Sequence, residues 1–262
     1  MDFISHINPV YAISGLAVSF LVGFTGVGGG SLMTPLLMLL FHISPATAVG
    51  TDLLYAGVTR TVGTAVHGAR GTVDWRIVTR MAAGSVPAAI ITLLTMAHFH
   101  AKSAPPHGII TYVLGGALIL TAAAILLRRI LLKALAERVG ALDQKRRDLF
   151  TVILGAVVGV LVSLSSVGAG AIGVTVLLLL YPKLPAAKLV GSDIAHAVPL
   201  TLIAGFGHWL MGDIDFTLLT SLLVGAIPGI IIGSWLSTRA PDAVLRPILA
   251  STLALVGGRL FF

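Results

Sequence analysis

Two aspartates stand in matching contexts, Asp52 in the stretch AVGTD and Asp193 in LVGSD. Each follows a proline, Pro45 or Pro185, that suits the first turn of a helix. Each aspartate is therefore expected about two turns inside an apolar helix. If the helix lies in a membrane, a carboxyl group two turns inside it is costly and is usually functional. Because low-dielectric surroundings favour its neutral form, it can bind and release a proton. The alternative is a hydrogen-bonded aspartate that only ties helices together.

One titratable neighbour differs between the two contexts. His196 follows Asp193 by three residues and shares its helical face, so the two side chains can share a proton. The matching position near Asp52 is Tyr55. We therefore predict Asp52, Asp193 and His196 as the ion-coupling residues. The half of the chain that contains His196 is expected to be the ion-coupling half.

Hydroxyl groups and one cation accompany the aspartates. Thr51 and Ser192 each precede an aspartate, and their hydroxyls can bind a substrate or bond back to their own helix. Arg60 is the only cation well inside its apolar segment and can attract an anion. Alternatively, its long side chain snorkels to the helix end, about 10 Å away.

The composition places these helices in a membrane. The chain is 56% hydrophobic and 10% charged, with a mean hydropathy of +1.02, so one soluble core cannot bury its apolar side chains. Apolar runs of about 17 to 24 residues recur along it. The net charge of +7 fits basic cytoplasmic loops better than nucleic-acid binding. With no cysteine, disulfides and thiolate clusters are excluded, and neither cofactor nor metal is expected. The first helix lacks signal-peptide features and is expected to remain.

The chain contains an internal repeat. Displaced by about 140 residues, TGVGGGS at 25–31 falls on SSVGAGA at 165–171, and AVGTD falls on LVGSD. We predict a first transmembrane repeat at 1–131, a cytoplasmic linker at 132–148 and a second repeat at 149–262. Ten apolar segments are expected, at about 9–26, 31–43, 46–67, 76–97, 108–131, 150–166, 171–181, 186–209, 216–237 and 243–261.

Basic residues change sides between the two copies. The connection after the third segment carries Arg70, Arg76 and Arg80, whereas its counterpart GHWLMGDIDF carries none. Since cytoplasmic loops collect Lys and Arg, equivalent loops should face opposite sides of the membrane. The predicted fold is an all-α polytopic membrane protein of two inverted repeats, with both termini outside.

Glycines interrupt both repeats inside the membrane. The second segment has only about 12 residues, about 18 Å of helix, and cannot cross a core of about 30 Å. Broken or re-entrant helices at that depth line a cavity or are buried in protein, and their free N–H groups suit an anion. The alternative is that the glycines only allow close packing. If they bind the anion, Gly155→Ala, outside the break, should cost little anion binding. The predicted substrate-binding residues are Gly28, Gly29, Gly30, Ser31, Thr51, Ser166, Gly168, Gly170 and Ser192, with Arg60 as a further attraction for an anion.

The doubled motifs resemble a known family. GVGGG at 26–30, the VGTD and VGSD elements, and the pattern H-x-x-x-G-x-x-D-[WF] in both halves are similar to the sulfite exporter TauE/SafE membrane transporters. This resemblance covers essentially the whole chain. It implies a multi-pass carrier in the bacterial inner membrane for a small anion such as sulfite or an organosulfonate.

We therefore predict an ion-coupled secondary transporter working by alternating access. Its partners are the lipid bilayer, the anion and H⁺ or Na⁺, and it is a monomer or a homodimer. An anion channel and a carrier of a non-sulfur organic anion remain alternatives. A membrane protease is disfavoured because Ser192 and His196 lie close together on one helix without a Gly-x-Ser-x-Gly context. Inverted repeats also argue against a scaffold protein.

Overall fold

The computed structural model describes residues 7–25, 30–102, 107–140, 142–167 and 169–236, together with positions 251, 254, 255, 258 and 259. Over the stretch from 7 to 236, the described residues form nine α-helices and one π-helical turn, and no strand. The helices are α1 (Pro9–Thr25), α2 (Gly30–Phe41), α3 (Pro45–Ala69), α4 (Trp75–Lys102), α5 (His107–Gly140), α6 (Gln144–Ser165), α7 (Val174–Leu180), α8 (Ala186–Met211) and α9 (Phe216–Leu236), and the π-helical turn is Ala169–Gly173.

The lengths of the helices fit an all-α membrane protein. Four of the described helices contain stretches long and apolar enough to cross a membrane, in α4, α6, α8 and α9. In contrast, α2 has 12 residues and α7 has 7, too few for a core of about 30 Å. Nine of the ten predicted segments thus occur as helices, and most of 243–261 lies outside the described residues.

Most of the linker predicted at 132–148 is helical in the structure. Helix α5 continues through Gly140, and α6 begins at Gln144 with Asp143 as its N-cap. The Asp143 side chain accepts a hydrogen bond from the Arg146 backbone, as an N-cap does. Most of 132–148 is therefore helix, which adds length to the ends of α5 and α6.

Helices pair across the two repeats. Helix α1 packs along α9, α4 packs along α6, and α3 packs along α8. A Cβ on Gly84 of α4 would overlap the Val152 carbonyl oxygen, and one on Gly155 of α6 would overlap the Met81 carbonyl oxygen. These glycines let the two backbones touch, as small residues do in membrane helix pairs. An alanine at Gly155 would therefore press on the backbone of α4, and the small effect of Gly155→Ala on anion binding stays a prediction.

The break after α6 has a defined shape. Ser166 ends the helix in the left-handed conformation, with φ of 56°, and the π-helical turn follows before α7. Across this turn the spacing between equivalent positions changes from 140, as for Gly15 and Gly155, to 141, as for Gly50 and Gly191. A π-helical turn is wider than an α-helical one and accommodates an extra residue. It thus explains the change of spacing in the sequence.

Candidate functional site

Asp52 is fully buried on α3 and is bound by the start of α2. The Thr34 hydroxyl donates to Oδ2 of Asp52 across 2.6 Å, and the Thr34 backbone N–H donates to the same oxygen across 3.2 Å. Oδ1 of Asp52 has no hydrogen-bond partner among the described residues. Ser166, in the break of the second repeat, lies beside this carboxyl group. Residues from both repeats therefore surround Asp52.

Asp193 is equally buried on α8 but is held differently. A Cβ placed on Gly173 would overlap Oδ1 of Asp193, so the π-helical turn presses its backbone against the carboxyl group. This Oδ1 is buried and lacks a hydrogen-bond partner in the described part of the chain. Both carboxyl groups therefore occupy equivalent positions, and each has a buried Oδ1 without a partner among the described residues.

Arg60 lies within electrostatic range of both carboxyl groups. Its side chain is on α3 and is 5% exposed, so it does not snorkel to the helix end. It interacts with Asp193 more strongly than with Asp52, and it also influences His196. No direct ion pair joins it to a described carboxylate, and its Nη1 has no partner among the described groups. The structure therefore brings three predicted residues, Asp52, Asp193 and His196, together around the buried Arg60.

His196 faces α4 rather than its neighbour Asp193. Its Nε2 lies 2.8 Å from the Ser85 hydroxyl, and Nδ1 is buried with no partner in the residues described. No hydrogen bond joins His196 to Asp193 in this structure. The equivalent Tyr55 instead bonds the Ser19 hydroxyl of α1 across 2.5 Å. The direct proton sharing between Asp193 and His196 stays a prediction.

Thr51 and Ser192 lie at joints between the repeats. The backbone N–H of Asp215 donates to the Thr51 hydroxyl across 3.2 Å, and that of Asp74 donates to the Ser192 hydroxyl across 2.7 Å. Ser192 also donates to the Lys188 carbonyl across 2.7 Å. Each hydroxyl thus holds the loop that follows the other repeat's third helix. Their predicted contact with substrate remains untested.

The glycine motifs are only partly described. Gly28, Gly29 and Gly168 lie outside the described residues. Gly30 is the first residue of α2, and Ser31 follows it in the same helix, with a side chain outside the description. Gly170 is buried inside the π-helical turn. Ser166 is buried, and its hydroxyl makes no standard hydrogen bond to any described group.

Two residues of this site were missed by sequence reasoning. Thr34 binds Asp52, and Ser85 binds His196, yet neither adjoins its partner in the chain. The repeat gives a signal for Thr34, because Thr175 stands 141 residues later. Ser85 has Ala226 at the matching position and gives no such signal. In the described residues, no three His, Cys, Asp or Glu side chains converge as metal ligands.

Comparisons with known proteins agree that the chain is similar to membrane transporters. A family model described as Sulfite exporter TauE/SafE matches residues 11–260. The chain is 37% identical over 249 residues to the probable membrane transporter protein YjnA of Bacillus subtilis (strain 168), covering 95% of this chain and 97% of that protein. It is 29% identical over 247 residues to the probable membrane transporter protein YdhB of the same organism, covering 94% and 96%. No solved structure matches the chain.

Proposed function

Because the chain belongs to the sulfite exporter TauE/SafE family, we propose that this multi-pass membrane protein carries a small sulfur oxyanion or organosulfonate across the bacterial inner membrane, coupled to protons. Under this proposal the anion binds near Arg60, and a carboxyl group takes up the accompanying proton. Both chain termini face outward and the α5–α6 connection faces the cytoplasm, in agreement with the basic residues.

The buried Arg60 carries this proposal. An arginine inside a membrane protein is costly unless something compensates its charge. Here two carboxyl groups lie within electrostatic range, but neither forms a direct ion pair, and Nη1 lacks a partner among the described residues. A guanidinium group presents a planar fork of donors that suits oxyanions. Arg60 is therefore available to an incoming anion.

Charge balance indicates how many protons accompany the anion. If both aspartates are ionised and His196 is neutral, these three residues and Arg60 carry a net charge of minus one. A bound monovalent anion would make the charge minus two in low-dielectric surroundings, which is strongly unfavourable. Uptake of one proton restores the original charge. We therefore infer one proton for each monovalent anion, and transport that moves no net charge.

We assign that proton to Asp193 rather than to Asp52. Two hydrogen bonds from Thr34 to Asp52 stabilise the ionised form of that carboxyl group. Oδ1 lacks a donor among the described groups in both aspartates, and in Asp193 it also lies against Gly173 of the π-helical turn. Asp52 thus serves as a fixed partner in the site, and Asp193 as the group that changes its proton.

The helix joints support alternating access. Two equivalent joints, Thr51 with Asp215 and Ser192 with Asp74, join the third helix of one repeat to the loop of the other. If the repeats are inverted, these joints lie at opposite ends of the transport path. Opening one while the other stays closed would expose the site to each side in turn.

Sulfite uptake into liposomes containing the purified protein tests the proposal. Arg60→Gln should lower uptake about 100-fold, because removing one partner of a buried charge interaction costs about 2–5 kcal/mol. The matched control is Arg80→Gln, which removes an arginine that pairs with Asp148 at 2.8 Å in a partly exposed setting. Both variants should be checked for folding by thermal shift. Equal uptake by the two variants contradicts the role of Arg60.

The same assay separates the remaining alternatives. A carrier saturates with rising sulfite and accumulates it against a gradient when protons drive it, whereas a channel does neither. Thiosulfate, sulfoacetate, taurine, sulfate and simple carboxylates, added as competitors, define the substrate. Strong competition by carboxylates alone would favour a non-sulfur organic anion.

A further inference from the structure

His208 makes two hydrogen bonds in a buried place. Its side chain is 1% exposed, with Nδ1 2.9 Å from Oδ2 of Asp213 and Nε2 2.9 Å from the carbonyl oxygen of Ser163. A carbonyl oxygen only accepts, so Nε2 carries a hydrogen. Nδ1 and the Asp213 carboxyl group then share one further proton. The imidazole thereby fastens the loop after α8 to the last turn of α6.

The residues that His208 and Asp213 contact are close in the chain to Asp52 and to its neighbour Ser166. Ser163 is three residues before Ser166, which lies beside the Asp52 carboxyl group. On the other side, Gly50 is two residues before Asp52 and packs directly on the pair. A Cβ on Gly50 would lie 2.5 Å from the Asp213 carbonyl oxygen and 3.1 Å from Cβ of His208. The pair therefore contacts the two backbone segments that carry Ser166 and Asp52.

The equivalent contact in the first repeat, between His67 and Thr72, contains no carboxylate. His67 matches His208, and its Nδ1 lies 2.9 Å from the hydroxyl of Thr72, which stands where the second repeat has Asp213. The Thr72 carbonyl oxygen packs against Gly191, as the Asp213 carbonyl oxygen packs against Gly50. The backbone packing is thus repeated, whereas the carboxylate is present only beside Asp52.

We propose that His208 and Asp213 are positioning residues, which hold the end of α6 and the start of α3 around Asp52 and release Ser163 during the transport cycle. This inference rests on the proposed function, because only a carrier needs the contact to open. With the shared proton on His208, the Asp213 carboxyl group is ionised, and a hydrogen bond to an ionised group is stronger than a neutral one. The contact between His208 and Asp213 is therefore tighter than the contact between His67 and Thr72 in the conformation described.

A cysteine at Ser163 reports whether the contact is closed. The chain has no native cysteine, and the Ser163 side chain is fully buried with a hydroxyl that bonds no described group. In Ser163→Cys the backbone carbonyl that His208 binds is unchanged. Reaction of this cysteine with a small thiol reagent, in purified full-length protein without substrate, then measures how often α6 leaves His208.

The expected result is faster labelling when the charged pair is lost. Asp213→Asn and His208→Gln should each raise the labelling rate about tenfold, the effect expected from weakening a charge-assisted hydrogen bond. Asp213→Glu, which keeps the charge, should restore slow labelling. Thr72→Val, which alters the contact between His67 and Thr72, should leave the labelling rate close to that of the protein with Ser163→Cys alone.

Several outcomes would overturn the inference. One is an unchanged labelling rate in folded Asp213→Asn and His208→Gln proteins, and another is an equal increase in Thr72→Val. A third is that Asp213→Asn fails to fold whereas Asp213→Glu folds, since the pair is then needed for folding alone. Sulfite uptake is measured separately: correct labelling without sulfite transport would contradict the proposed substrate and leave the positioning role standing.

Discussion

The Thr34 hydroxyl donates to Oδ2 of Asp52 across 2.6 Å and so joins the first half of α2 to the second turn of α3. The Thr34 backbone N–H supports the same oxygen at 3.2 Å. The carboxyl group thus joins α3 to α2, a helix that is too short to cross a membrane.

Replacing Thr34 by valine keeps the shape of the side chain and removes the hydroxyl donor. A hydrogen bond to a charged group contributes about 1.5–3 kcal/mol, so sulfite uptake should slow at least tenfold. The control is Thr59→Val on α3, since the Thr59 hydroxyl bonds only carbonyl oxygens of its own helix. Equal uptake rates in the two variants would remove Thr34 from the site.

The inverted arrangement predicts opposite sidedness for two similar helix starts. Thr79 near the start of α4 and Thr217 near the start of α9 are both exposed. In intact cells, an impermeant thiol reagent should label Thr217→Cys and spare Thr79→Cys until the membrane is opened. Labelling of both from the same side contradicts inversion of the repeats.

Packing at Gly84 gives a prediction about stability. A Cβ at this position would overlap the Val152 backbone, whereas one on Gly116 meets nothing within 4 Å. Gly84→Ala should therefore lower the melting temperature, because α4 and α6 must separate. Gly116→Ala should leave it equal or slightly higher, since alanine favours a helix by about 1 kcal/mol over glycine. Thermal unfolding of the detergent-purified variants compares the two, and equal melting temperatures would show that α4 and α6 do not pack this closely.

The helices could be predicted from the sequence because their start signals are local. Pro45 is the first residue of α3, as predicted, whereas Pro185 is the N-cap residue just before α8, and both aspartates lie about two turns inside. Periodicity and hydropathy require no knowledge of the rest of the chain. The burial of Asp52 and Asp193 followed from the same local reasoning.

The partners of these residues could not be predicted, because they depend on how distant helices meet. Arg60 is close enough to its helix end to snorkel, yet packing of α3 against α8 keeps it inside. Ser85 contacts His196 across 111 residues, and no pattern in the sequence indicates that contact. Gly155 illustrates the same limit, since its sequence context does not reveal the backbone of α4 beside it.

Proton-driven accumulation of sulfite in liposomes containing Asp193→Asn tests the central claim most directly. The substitution fixes the neutral form of the side chain, so the anion binds without taking up a proton. The unmodified protein should accumulate sulfite when a pH gradient is imposed and be insensitive to membrane potential. Asp193→Asn should still exchange external for internal sulfite but should not accumulate it. Accumulation by Asp193→Asn at the native level would contradict proton coupling through this residue.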